Sequence, residues 1–179
     1  NAANTAATFT VANDKDFNGL AALDTTNGIT LTAAGNAAAS VLKATNKADV
    51  ITGGDAGDTI DGGDGNDTID GGKGDDNLTG GGGVDTFKAN DGATTITDFG
   101  VGGTDKVVIK NGSTLAAAVT ADYVAEVKTD IDNKAADNTK AVFNVADGIN
   151  FNASLSTDTT KGLTIAASGT ATVGSTLVG

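Results

Sequence analysis

Five aspartates stand at nine-residue intervals in the middle of this chain: Asp49, Asp58, Asp67, Asp76 and Asp85. Each is followed two places on by a large apolar residue, at Ile51, Ile60, Ile69, Leu78 and Phe87. Around them runs the pattern GGxGxDxUx, with U apolar, in nonapeptides that begin at Gly53, Gly62, Gly71 and Gly80. A degenerate copy begins at Ala44. Regularly spaced carboxylates beside tight glycine turns suit a hard cation. Calcium takes six to eight oxygens at about 2.3–2.6 Å, from carboxylates and backbone carbonyls together. Glycine reaches the backbone angles needed to aim several carbonyls at one point without steric cost.

In an extended turn, alternate residues point their carbonyls the same way. Positions two, four and six of each nonapeptide are therefore the candidate donors, the last through its side chain. These are Thr45, Lys47 and Asp49 in the degenerate copy, then Gly54, Ala56 and Asp58 in the first full one. The next copies supply Gly63, Gly65 and Asp67; Gly72, Gly74 and Asp76; and Gly81, Gly83 and Asp85. If two nonapeptides make one coil, position six faces its counterpart 18 residues on. That pairs Asp49 with Asp67, Asp58 with Asp76, and Asp67 with Asp85. Rungs about 4.8 Å apart leave room for one ion between them, and the pattern predicts about three to five calcium ions in all.

Charge supports a cation. Thirteen Asp but only Lys73 and Lys88 lie between Asp49 and Asp105, in a chain of net charge −12. Two carboxylates about 5 Å apart repel by roughly 3 kcal/mol at an effective dielectric near 20, so a stack of them needs neutralising. The same balance argues against a nucleic-acid partner, because little here would neutralise phosphates. The chain has no Cys, His or Arg, which removes Cys nucleophiles, Ser-His triads and His-based zinc sites and predicts a non-catalytic protein. No segment approaches the roughly 20 apolar residues of a membrane span. The opening NAANTAATF has neither Met nor a signal-like run, as expected of a piece of a longer polypeptide.

These turns need a coil in which each nonapeptide is one turn and one short strand. The apolar positions would then point into a narrow core, Ile51 on Ile69 and Phe87, and Ile60 on Leu78 and Ile96. Leu42 lies nine residues before Ile51 and continues the phase, as does Ile96 after Phe87, where Thr94 replaces the aspartate. The prediction is a mostly all-β protein: a right-handed calcium-binding parallel β-roll or solenoid over residues 44–110, with flanking β-rich caps and one helix. In the cap at residues 1–43, Thr8–Ala12 and the stretch from Ile29 read as strands. Asn13 is placed to cap a short helix through Leu23, with Phe17, Leu20 and Ala21 inward. After the repeats, a strand, a glycine turn and a second strand put Val107 and Ile109 on one face. In the C-terminal region, 111–179, Leu115, Val119, Tyr123, Val127 and Ile131 fall four apart and predict a helix. Alternating strands separated by DG and SG turns follow from Ala141.

The nonapeptides GGDAGDTID, GGDGNDTID, GGKGDDNLT and GGGGVDTFK resemble the RTX repeats of proteins exported by Gram-negative type I secretion. The continuation VDTFKANDGATTITDFGVGGTDKVVI is similar to the segment that closes the roll in that family. There, aspartates seven apart complete a further calcium site, which implies that role for Asp98 and Asp105. The resemblance also implies a secreted, extracellular protein that meets the type I secretion machinery during export. Within the family, a chain rich in Ala, Thr, Gly, Asn and Asp resembles surface-layer proteins. The function that follows is the structural, calcium-dependent region of a cell-surface lattice, with copies of itself as partners. The alternatives are the secretion and folding tail of an exported enzyme or toxin, and a module of a large adhesin.

Overall fold

The computed structural model describes residues 6–19, 27–109, 113–121, 123–124, 131–133, 141–146, 148, 150–154, 163–167 and 172–176. Among these residues short strands recur along the chain. Ahead of the full repeats come β1 (Ala7–Thr10), β2 (Phe17–Asn18), β3 (Ile29–Thr32), β4 (Val41–Lys43) and β5 (Val50–Thr52). The repeats supply β6 (Thr59–Asp64), β7 (Thr68–Asp70), β8 (Asp76–Gly82) and β9 (Thr86–Ala89). Beyond them lie β10 (Ala93–Phe99), β11 (Lys106–Ile109), β12 (Thr114–Val119), β13 (Tyr123–Val124) and β14 (Ile131–Asn133). The last are β15 (Ala141–Val145), β16 (Asn150–Ser154), β17 (Leu163–Ala167) and β18 (Thr172–Thr176).

From β1 to β12 successive strands alternate between two walls, and the chain winds as an all-β parallel solenoid of about 5 turns. One sheet runs β1-β3-β5-β7-β9-β11-β14 and the facing sheet β17-β15-β12-β10-β8-β6-β4-β2. Every strand pair is parallel, and in the repeats each apolar position pairs with its equivalent one coil on. Ile51 faces Ile69, which faces Phe87. On the other wall Leu42 faces Ile60, then Leu78, then Ile96. All seven are fully buried, and polar residues alternate with them on the outside of most strands, Val41 and Val50 being exposed apolar exceptions. The stacking read from the nine-residue period is the stacking found. The strands flanking the repeats join the same two sheets, apart from β13, β16 and β18.

Coil length is 18 residues only within the repeats. Beyond Ile96 the same register column passes through Ala117, Phe143 and Ile165, at steps of 21, 26 and 22. A third sheet, β13-β16-β18, appears there and gives the solenoid an additional wall. Aromatic rings fill the ends of the roll: Phe99 lies 6.3 Å from Phe87 and 5.4 Å from Phe143, and Phe9 lies 5.1 Å from Phe17.

The expected helix after Ser113 is a correction. Thr114–Val119 is a strand between β10 and β15, with Leu115, Ala117 and Val119 buried. A spacing of four is also a multiple of two, so Leu115 and Val119 share a strand face as readily as a helix face. Buried Ala117 between them marks the shorter period. Tyr123 and Ile131 lie in β13 and β14 on other walls, and Val127 falls outside the described residues. The helix from Asn13 is likewise absent among the described residues: Asp14 adopts φ 62° and Phe17–Asn18 is a strand. A left-handed residue one place after the proposed cap interrupts any helix. Asn13 and Asp16 instead accept backbone N–H groups from Ala38 and Val41 of the next coil. Leu20 and Ala21 lie outside the described residues. Among the described residues, no helix is long and apolar enough to cross a membrane.

Candidate metal centre

Between strands, the glycine turns stack along two edges of the solenoid. One edge carries Asp49, Asp67, Asp85 and Asp105, and the other Ser40, Asp58, Asp76 and Thr94. All are buried, from 0 % to 3 % exposed. Each carboxylate ties two coils together. Asp67 Oδ1 accepts the N–H of Asp49 at 2.8 Å, Asp85 Oδ1 that of Asp67 at 2.9 Å, and Asp105 Oδ1 that of Asp85 at 2.9 Å. On the opposite edge Asp58 Oδ1 accepts from Ser40 at 2.7 Å and Asp76 Oδ1 from Asp58 at 2.9 Å. Position five adds a second ladder in the opposite sense: Asn66 and Asp75 accept the N–H groups of Val84 and Ala93 on the following coil.

The second carboxylate oxygen differs from turn to turn. Asp49 Oδ2 accepts from Thr45 N–H at 2.8 Å, Asp58 Oδ2 from Gly54 N–H at 2.5 Å and Asp105 Oδ2 from Gly100 N–H at 2.7 Å. Asp67 Oδ2 and Asp85 Oδ2 are buried with no hydrogen-bond partner. A buried acceptor without a donor is costly. Both oxygens face space that only glycine leaves open. A Cβ added at Gly62 would meet Asp67 Oδ2 and lie 2.8 Å from the Gly80 carbonyl oxygen, and one at Gly80 would meet Asp85 Oδ2.

Positions two and four need glycine for a related reason. Gly63 and Gly65 adopt φ 97° and 136°, and Gly81 and Gly83 repeat this at 95° and 134°. A Cβ at Gly63 would collide with the carbonyl oxygen of Thr45, and one at Gly81 with that of Gly63. Position-two carbonyls are thus aimed along the coil axis at the next rung. Position four behaves alike, a Cβ at Gly83 striking the carbonyl oxygen of Gly65. The first full turn departs from this: neither Gly54 nor Ala56 has positive φ.

Burial, followed by neighbouring carboxylates, pushes Asp67 and Asp105 up from 3.8 to about 7, and Asp85 up to about 6. Asp76 rises to about 7 for the same leading reason. Backbone N–H donors oppose the shift without reversing it. Asp98 is half-buried and accepts from Gly80 and Gly81 N–H at 3.0 and 2.8 Å, and its charge is felt at Asp85 and Asp105. These two aspartates therefore lie at the closing end of the aspartate edge.

Among the described residues no cluster of three or more acidic side chains is arranged as a metal cage. Two carboxylates per rung pair, with carbonyls making up the remainder, would not form such a cluster. The unpartnered oxygens, the glycine-lined space and the raised proton affinities all fit a cation. Residues 35–69 and 61–96 match the family model of the RTX calcium-binding nonapeptide repeat (4 copies). The block is an RTX calcium-binding repeat region. No curated protein and no solved structure matches the chain.

Sequence reasoning missed Ser40. It lies 18 residues before Asp58, at the aspartate position of a turn whose glycines have largely been replaced, and the RTX match begins at residue 35. The coil offset alone would have found it. Asn66 was also missed, and its role depends on a backbone N–H that only the folded register supplies.

Proposed function

We propose that this RTX region is the calcium-dependent structural part of an exported bacterial surface-layer protein, in which calcium first folds the roll and then governs association between copies. The carrying observation is the pair of buried, unpartnered oxygens Asp67 Oδ2 and Asp85 Oδ2 beside stacked carbonyls. Calcium would be held between rungs by position-two and position-four carbonyls and position-six carboxylates. On one edge these are Thr45, Lys47 and Asp49 against Gly63, Gly65 and Asp67, then that set against Gly81, Gly83 and Asp85. On the other they are Gly54, Ala56 and Asp58 against Gly72, Gly74 and Asp76. Asp98 and Asp105 would complete the closing site. The ion supplies positive charge and extra ligand bonds. The chain supplies the spacing, the glycine turns and the exclusion of water.

The lattice part of the reading rests on charge. Three cross-coil ion pairs are present among the described residues, Lys43–Asp61, Lys73–Asp55 and Lys88–Asp70, and because each cancels to zero the whole net −12 stands beyond them. An acidic surface repels its own copies until ions neutralise or bridge it. Under this reading residues 1–43 cap the roll and 111–179 serve export and assembly. Light scattering across a calcium titration tests it. Ordered oligomers should form above the calcium concentration that completes folding. A monomer at every calcium concentration above that which completes folding would favour a secretion and folding tail instead.

A further inference from the structure

The edge that carries Asp58 and Asp76 ends in a hydroxyl. Ser40 occupies the aspartate position one coil before Asp58, donates its N–H to Asp58 Oδ1 at 2.7 Å and is only 2 % exposed. Its Oγ is buried with no hydrogen-bond partner, the same condition found at Asp67 Oδ2 and Asp85 Oδ2. Its turn shares one feature with the calcium turns: a Cβ at Gly54 would lie 2.7 Å from the Asn36 carbonyl oxygen, although the positive φ here falls at position one, Gly35 at 82°, and not at positions two and four. That is the stacked position-two carbonyl again, one coil earlier.

We infer that turns 35–40 and 53–58 form a further, weaker calcium site. Ser40 Oγ and the Asn36 and Ala38 carbonyls would serve from one rung, and Asp58 with the Gly54 and Ala56 carbonyls from the next. The inference rests on the calcium reading of the repeats. One carboxylate in place of two lowers affinity, because calcium sites are tuned by ligand charge. The site also has a structural dependant. Asn36 Nδ2 donates to the Val11 carbonyl at 3.1 Å, Ala38 N–H to Asn13 Oδ1 at 3.1 Å and Val41 N–H to Asp16 Oδ1 at 2.9 Å. Residues 11–16 are therefore docked on the turn that the ion would order. Filling this site locks the N-terminal strands onto the roll at a calcium concentration above that which folds the repeats.

Calcium alone, titrated calorimetrically into the full chain, tests this alongside amide hydrogen exchange. The wild type should show a weak binding phase beyond the roll's own sites, and protection of residues 7–18 and 29–43 should rise with that phase. Ser40→Ala should lose the weak phase and its exchange step while the tighter phases persist. Ser40→Asp should keep the phase and tighten it about tenfold. Unchanged stoichiometry and exchange midpoints in Ser40→Ala would overturn the inference. If that variant fails to fold, a weak phase left untightened in Ser40→Asp overturns it equally. Absence of calcium binding in every variant would overturn both this site and the calcium reading of the roll.

Discussion

Single residues in the turns have separable jobs. Asp67 bridges to Asp49 and Asp85 on both sides, whereas Asp55 is exposed and paired with Lys73 at 3.1 Å. Asp67→Ala should therefore lose more bound calcium by titration calorimetry than Asp55→Ala, and equal losses would contradict the register of the proposed sites. Gly81 and Gly82 offer a second contrast. A Cβ at Gly81, in a turn of φ 95°, strikes the Gly63 carbonyl, while at Gly82 it would meet Asp64 Oδ1 at 3.1 Å with no positive φ. Gly81→Ala should lower stability in calcium by about 1–3 kcal/mol through backbone strain, and Gly82→Ala by less, as read from denaturant midpoints. Protons compete for the same carboxylates. Asp67, Asp76 and Asp105 sit near 7 in the fold against 3.8 ordinarily, mainly through burial. A raised folded value means that the calcium-free fold binds more protons than the unfolded chain. These groups then favour it fully below about pH 4, and that contribution is lost as pH rises through about 7. In chelator, acidification from pH 8 to 5 should increase β-structure, and in calcium the same change should release ions. Circular dichroism showing no acid-induced gain in chelator would contradict this.

At the scale of elements, the repeats were legible because each nonapeptide carries its own instructions. A glycine turn, an inward aspartate and one buried apolar residue set strand, corner and register together, and a nine-residue period over two walls leaves one stacking. The flanks carry no such redundancy. Leu115 and Val119 satisfy helix and strand alike, and the edge of β10 decided between them. Asn13 and Asp16 are good cap residues, but their acceptors were used by backbone groups 25 residues away, a contact invisible to local pattern. The aspartates and tight glycine turns of the candidate site were legible as a repeat, and the structure buries those aspartates. The unpartnered oxygens were not, since they depend on which N–H groups the neighbouring coil presents. Packing changes along the same axis. The central core is one apolar column per wall, with Leu78 between Ile60 and Ile96, and Leu78→Ala should cost about 2–5 kcal/mol in calcium. Thermal or denaturant unfolding would report it, and a loss under 1 kcal/mol would mean that the column bears little of the fold.

The whole molecule combines a thin core with a large negative charge. Buried aspartates line both edges, and the three ion pairs named above are exposed or half-exposed contacts of the kind worth about 0–1 kcal/mol each. Such a chain needs a ligand bound to its folded state. At a free concentration 100 times its dissociation constant, each independent site contributes about 2.7 kcal/mol, and several sites together reach the 5–15 kcal/mol typical of domain stability. Without them the repeats combine low hydrophobicity with high charge, the composition of a disordered chain. Far-ultraviolet circular dichroism of the full chain, taken from excess chelator at neutral pH into millimolar calcium, tests this most directly. Calcium-dependent folding predicts a disordered spectrum in chelator and a cooperative rise of β-signal with calcium, reversed by returning the chelator. Superimposable β-rich spectra with and without chelator would contradict it.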